Sequence, residues 1–131
     1  MPELLVPISP GELIDKITIL EIKSQRMSDA TKLANVRTEL SLLTETWQSS
    51  PYATNDVDTE WQALRAVNEQ LWDIEDRIRD RERDATFDAA FIELARAVYV
   101  TNDERAAIKK RINTRLGSTL VEEKSYADYK R

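Results

Sequence analysis

Between Trp61 and Asp84 the chain reads WQALRAVNEQLWDIEDRIRDRERD. Leu64, Val67, Leu71, Ile74 and Ile78 recur there at alternating steps of three and four. That spacing puts all five along one side of an α-helix. An apolar stripe of this length is unstable in water and must be covered, so the rest of the chain has to supply a partner for it. The sequence has 131 residues but only 2 Gly and 4 Pro, a poverty of breakers that suits helices and argues against a many-turned β fold. At this length roughly two thirds of the unfolded surface can be buried, enough for one core, and a single domain over 1–131 is expected.

The other elements follow from caps and stripes. Residues 1–8 are short, apolar and held extended by Pro2 and Pro7, and read as an arm packing across the bundle. Ser9-Pro10-Gly11-Glu12 is a helix start: Ser9 caps, Pro10 suits the first position and Glu12 completes a capping box. The first helix, 10–27, carries Leu13, Ile17, Leu20 and Met27 on one face, widened by Ile14, Ile19 and Ile22, and is expected to be the most buried. The second, 29–48, is capped by Ser28 or Asp29 and carries Leu33, Val36, Leu40, Leu43 and Trp47 at heptad spacing. Ser49 to Val57 is a loop of turn formers around Pro51, and Asp56 or Asp58 caps the third helix, 58–83. Thr86, with Asp84 as rival, caps a fourth helix, 86–100, with Phe87, Phe91, Leu94 and Val98 as its stripe. Thr101 and Glu104 form a second capping box, which predicts a kink or break and a fifth helix, 102–116, with Ile108, Ile112 and Leu116 inward and Gly117 as C-cap. An irregular tail, 118–131, follows, with Leu120, Val121, Tyr126 and Tyr129 able to dock back. The expectation is an all-α fold of about five helices built on an antiparallel hairpin of the second and third, whose lengths of roughly 30–39 Å would let them project and pair with another copy.

Composition narrows the chemistry. There is no Cys and no His, so thiol and His-based catalysis and Cys- or His-ligated metal are excluded. A net charge of −5 disfavours nucleic acid and anionic membrane as partners of the whole chain. No apolar run approaches the ~20 residues of a membrane span. The start MPELLVPISP lacks the basic and long apolar regions of a signal peptide, which leaves the cytoplasm as the expected location.

Four features compete for a functional role. In Asp73–Asp84 ten of twelve residues are charged, six acidic and four basic. Asp73 with Asp76, or Asp76 with Asp80, share a helix face as in all-helical nucleotide pyrophosphohydrolases, and Glu12 with Asp15 form a possible opposing pair for Mg²⁺. The interleaved arginines pair with these acids at i,i+4, so a solvated, salt-bridged face is the preferred reading and no metal or other cofactor is expected. Asn68 sits beside the apolar stripe, where a polar residue fixes register. With Trp47, Trp61 and Trp72 it makes a set of interface candidates. Finally, residues 101–116 carry five basic residues against two acidic. Arg105 and Lys109 there, together with Arg26, Arg37 and Arg96, are the candidate ligands of an anionic site.

Several segments resemble a family as a set: VPISPGELIDKITILEIK at 6–23, KLANVRTEL at 32–40, LWDIEDRIRD at 71–80, FIELARAVYVTNDERAAIKKRIN at 91–113 and LVEEKSY at 120–126. Together they are similar to a small bacterial and phage all-helical family of unassigned function. The resemblance implies a compact helical domain and brings no catalytic residues with it. GELIDKITILEIKSQRM also resembles the first helix of the all-helical chorismate mutases, with Arg26 matching the arginine that ends it and Asp80–Asp84 the acidic-Arg-Glu cluster. That family's upstream arginine would fall near Ser9, and its helix continues where this one breaks at Ser28. The reading that composition and stripes favour is a non-catalytic interaction or assembly module that self-associates or takes a partner protein. The alternative is a small enzyme or binder of an anionic metabolite.

Overall fold

The computed structural model describes residues 2–130; Met1, at the head of the expected arm, and Arg131, at the end of the expected tail, lie outside them. The described residues form four helices and no strand: α1 (Pro10–Arg26), α2 (Ala30–Gln48), α3 (Asp58–Arg83) and α4 (Ala89–Leu116). No helix among them is long and apolar enough to cross a membrane.

Helix α1 is the hub. It carries apolar residues on most of its circumference, and Leu13, Ile14, Ile17, Leu20 and Ile22 are all buried. Helices α2, α3 and α4 each pack against it. Ser9 Oγ accepts the Glu12 backbone N–H at 3.2 Å and Pro10 opens the helix, as the cap signature predicts. The Glu12 carboxylate reaches Lys109 at 2.6 Å. Gly11 lets α1 meet α4 backbone to backbone: its N–H donates to Asn113 Oδ1 at 2.7 Å, and a Cβ there would sit 2.6 Å from the Lys109 carbonyl oxygen.

The structure corrects the expected pairing. Helices α2 and α3 do not form the central hairpin: their backbones do not approach each other, and Trp47 meets Trp61 edge to face, 5.7 Å between centroids. The antiparallel hairpins are α1/α2 and α3/α4. The reason lies in α1, which offers apolar surface on several sides and so separates the two elements. The stripe of α3 meets α1 and α4 together at Leu64 and Val67 and α4 along the rest of its length, where it stays half-covered.

The expected break at Thr101 does not occur. Helix α4 runs unbroken for 28 residues, because Leu94, Val98, Thr101, Arg105, Ile108, Ile112 and Leu116 continue one stripe across it and no Gly or Pro interrupts. Thr101 is a buried member of that stripe, not a cap. Its start is also shifted: Asp88, not Thr86 or Asp84, caps it, accepting the Phe91 N–H at 3.1 Å. Thr86 is instead used to end α3. Its N–H donates to the Arg81 carbonyl at 2.9 Å and the Ala85 N–H to Glu82 at 3.0 Å, a Schellman pairing that puts Ala85 in the left-handed region at φ 50°. Gly117 ends α4 in the same way at φ 67°. At α3 the cap position falls to Val57, whose side chain is buried, and Asp56 accepts the Asp58 N–H at 3.1 Å. The arm does not pack across the bundle. Leu4 and Leu5 are exposed, and only Ile8 packs against the core, because the first turn of α1 is already covered by α4.

Two substitutions check this reading. Gly11→Ala forces a methyl into the Lys109 carbonyl and is expected to cost about 1–3 kcal/mol, read as a lowered midpoint in urea. Ala85→Gly relieves the left-handed strain and is expected to raise stability by up to about 1 kcal/mol; a lowered midpoint would show that φ at 85 is not positive in solution.

Candidate functional site

The site is a buried polar cluster inside an apolar shell. Asp15 lies on α1 between Ile14 and Ile17 and is 1% exposed. Burial alone pushes its carboxyl up. Hydrogen bonds from Arg105 and Asn68, with the charges of Arg105 and Lys109, outweigh that and hold it below its ordinary value of 3.8. Arg105 binds it two-handed: Nε donates to Oδ1 at 2.9 Å and a second guanidinium nitrogen donates to Oδ2. Asn68 Nδ2 donates to the same Oδ1 at 3.0 Å and to Thr18 Oγ1 at 3.0 Å, while the Thr18 hydroxyl donates to the Asp15 carbonyl at 2.8 Å. Three helices thus converge on one carboxylate.

One turn along, the ammonium of Lys109 is almost enclosed. It contacts Glu12 at 2.6 Å, Glu122 of the tail at 2.8 Å and Asp15 at 3.9 Å. Burial pulls its pKa down, but the hydrogen bonds to Glu12 and Glu122 and the Asp15 charge raise it above the ordinary 10.5. The Asp15 hydrogen bond raises Arg105 likewise. Helices α1 and α4 therefore run antiparallel as a ladder, with Gly11 against Asn113, Glu12 against Lys109 and Asp15 against Arg105.

Of the five cations expected at an anionic site, Arg105 and Lys109 come together here, each already matched by carboxylates. The other three lie elsewhere. Arg26 pairs with Asp73 at 2.6 Å and stacks 6.0 Å from the Trp72 ring centroid, and Arg37 and Arg96 are exposed on α2 and α4. Among the interface candidates Trp47 and Asn68 are buried. Trp61 is half-buried and donates its indole N–H to Glu21 at 3.2 Å, and Trp72 is half-buried. Of the acids weighed for Mg²⁺, Asp73 pairs with Arg26, Asp80 with Arg83, and Glu12 and Asp15 with Lys109 and Arg105, while Asp76 is exposed on α3. No group of three or more carboxylates poised for a metal ion occurs among the described residues.

Sequence reasoning placed Asn68 beside the stripe, where it is in fact buried, and singled out Arg105 and Lys109, but it saw Asp15 only as half of a metal pair and missed Glu122. A signal for Asp15 did exist. On a helix apolar over more than half its circumference, Gly11, Asp15, Thr18 and Ile22 share one line, so Asp15 had no face left in water.

Residues 4–129 match the model of a family of unknown function, DUF6165, and the chain belongs to that family. No curated protein matches it. No solved structure does either.

Removing Arg105 should expose the logic of the cluster. Arg105→Met leaves a buried, singly supported carboxylate and is expected to lose about 3–5 kcal/mol at neutral pH. In the wild type the Asp15 pKa is depressed, so its contribution is present above the unfolded value of about 3.9 and is lost as pH falls through the lower folded value. In the variant burial dominates and the pKa moves above the unfolded value, so the deficit should shrink on acidification from pH 7 toward 4. Urea midpoints across that range check it; a deficit that stays constant would show that Arg105 does not hold Asp15 ionised.

Proposed function

We propose, with membership of this family as the premise, that the chain is a non-catalytic assembly module that pairs with a second copy of itself through the α3/α4 hairpin. The observation that carries this reading is the unequal burial of that hairpin. Its base holds Leu64, Val67, Ile108 and Ile112 in the core. From residue 69 to residue 100 no residue is buried, although Leu71, Ile74, Ile78, Phe91, Leu94 and Val98 keep their helical spacing. Phe87 and Ile92 are more than half exposed, and Phe87 stacks edge to face on Phe91 at 5.2 Å.

A two-helix ribbon covers each stripe from one side only. A second ribbon of the same kind covers the other side and makes a four-helix bundle. The flanks favour a copy of this chain over an unrelated partner. They interleave Arg77, Arg79, Arg81 and Arg83 with acidic residues, so two-fold apposition can set each sign against the other. This moves the self-association surface from the α2/α3 hairpin to α3/α4. The central cluster supports the non-catalytic half of the reading. Its cations are neutralised by the chain's own carboxylates, and its acid is held ionised by an arginine.

Light scattering coupled to size exclusion at high micromolar concentration tests the proposal. A dimer is expected for the wild type and a monomer of unchanged helical circular dichroism for Phe87→Asp/Ile92→Asp. A monomeric wild type removes self-association, and a dimeric double variant removes the hairpin as its site.

A further inference from the structure

Glu122 is the odd member of the central cluster. Arg105 and Lys109 are matched by Asp15 and Glu12, all four on the rigid helices α1 and α4. Glu122 brings a third carboxylate to Lys109 from a segment without regular structure, where Lys124 lies 3.3 Å from its other oxygen. From Thr119 to Lys130 the tail is exposed, with Val121 at 60% and Tyr126 at 81%. It is held at few points. Ser118 N–H closes the end of α4 on the Asn113 carbonyl at 2.9 Å, Glu122 meets Lys109, and the Tyr129 ring lies 4.8 Å from that of Tyr99.

Between the tail and α4 is a cleft of about 390 Å³, with Lys109, Lys110 and Asn113 on the α4 side and Val121, Glu122, Glu123 and Lys124 on the tail side. The Lys109 side chain is 8% exposed, and its ammonium has three donors. Glu12 takes one and Glu122 another, with Asp15 more distant at 3.9 Å. With Glu122 swung away, a recessed donor faces a groove on α4 that Lys110 also borders. Such a place takes an anion.

We propose that the cleft over Lys109 is a binding site for a carboxylate or phosphate group, closed in this state by the chain's own tail with the Glu122 carboxylate standing in the place of the ligand. The tail competes with the ligand: only the fraction of molecules with Glu122 displaced is competent to bind, which weakens the apparent affinity by that fraction. The hinge is Gly117, whose left-handed backbone lets the chain leave the helix end at a sharp angle. This site is independent of the hairpin surface, and either can fail alone.

The test titrates inorganic phosphate and, in a separate arm, acetate into the full chain at constant ionic strength. Isothermal calorimetry and the side-chain ¹⁵N signal of the Lys109 ammonium are the readouts. In Glu122→Gln saturable binding of one or both anions is expected, at least about tenfold tighter than in the wild type, with the Lys109 signal moving in step. Trypsin should cut after Lys124 faster in Glu122→Gln than in the wild type. Adding Lys109→Gln should abolish the binding, and should that double variant not fold, the Lys109 signal carries the same decision. No saturable binding in Glu122→Gln, equal affinity in the wild type, or an unmoved Lys109 signal would overturn the proposal. Which of phosphate and acetate binds tighter assigns the ligand class.

Discussion

The Asp15 carboxylate is the point to which the remaining packing is tied. Taking an ionised carboxylate out of water carries a penalty of several kcal/mol, so the helix that holds it cannot be buried until donors arrive. Those donors come from α3 through Asn68 and from α4 through Arg105. Burial of the most apolar helix is therefore conditional on correct placement of two others. A slip of α4 by one turn would bring Lys109 opposite Asp15 and leave Glu12 unmatched. It would also drive Asn113 away from Gly11, where the two backbones are closest. The polar ladder selects one register among several that apolar stripes alone would tolerate. Replacing such a buried ion pair with well-packed apolar side chains often leaves stability unchanged, so we assign the cluster to specificity of packing rather than to net stabilisation.

What was legible in the sequence divides along the same line. Caps and stripes are local properties, and they located α1, α2 and α3, the buried character of α1, the Ser9 cap, Asp29 as one of two candidate caps and the Gly117 terminus, while dividing α4 in two. The pairing of helices is not local. Heptad spacing in α2 and α3 shows that each needs cover but not which neighbour supplies it, and α1, apolar on several sides, resolved the choice against direct pairing. The Thr101 capping box failed because its signature assumes that Thr101 is free to cap, whereas here it continues a buried stripe. In the same way Arg105 and Lys109 were recognisable as an unusual concentration of charge. Their partners lie some ninety residues away, on a helix whose carboxylates read as a possible metal pair. An isolated charge on an apolar helix is better read as a demand for a distant counter-charge than as half of a local pair.

The fold is anisotropic in consequence. At one end three helices share a core of Ile14, Leu64 and Ile112 with no solvent exposure, closed by the Trp47–Trp61 contact. At the other, α3 and α4 continue alone for several turns with Arg–Asp and Arg–Glu pairs along their surface. Exposed pairs of that kind contribute little each, and half-covered apolar residues contribute less than buried ones. The distal hairpin therefore belongs to the low-stability end of the molecule, where opening is local and where binding of a second element changes the most. Ala85, held left-handed in the turn that joins its two helices, adds strain at the same end.

This division bears on which surfaces are free to act. In the interior the charges of Asp15 and Arg105 cancel one another, and each is held by hydrogen bonds between rigid helices. A group so satisfied has little left to offer a ligand, because any new contact must first break one already made. The tail differs because Glu122 is tethered by an irregular segment, so its bond to Lys109 can open without disturbing a helix. The distal hairpin differs because its apolar stripe has no second cover. The places where the core's own demands are met incompletely, the apolar stripe of the distal hairpin and the Glu122–Lys109 contact of the tail, lie at opposite ends of α4.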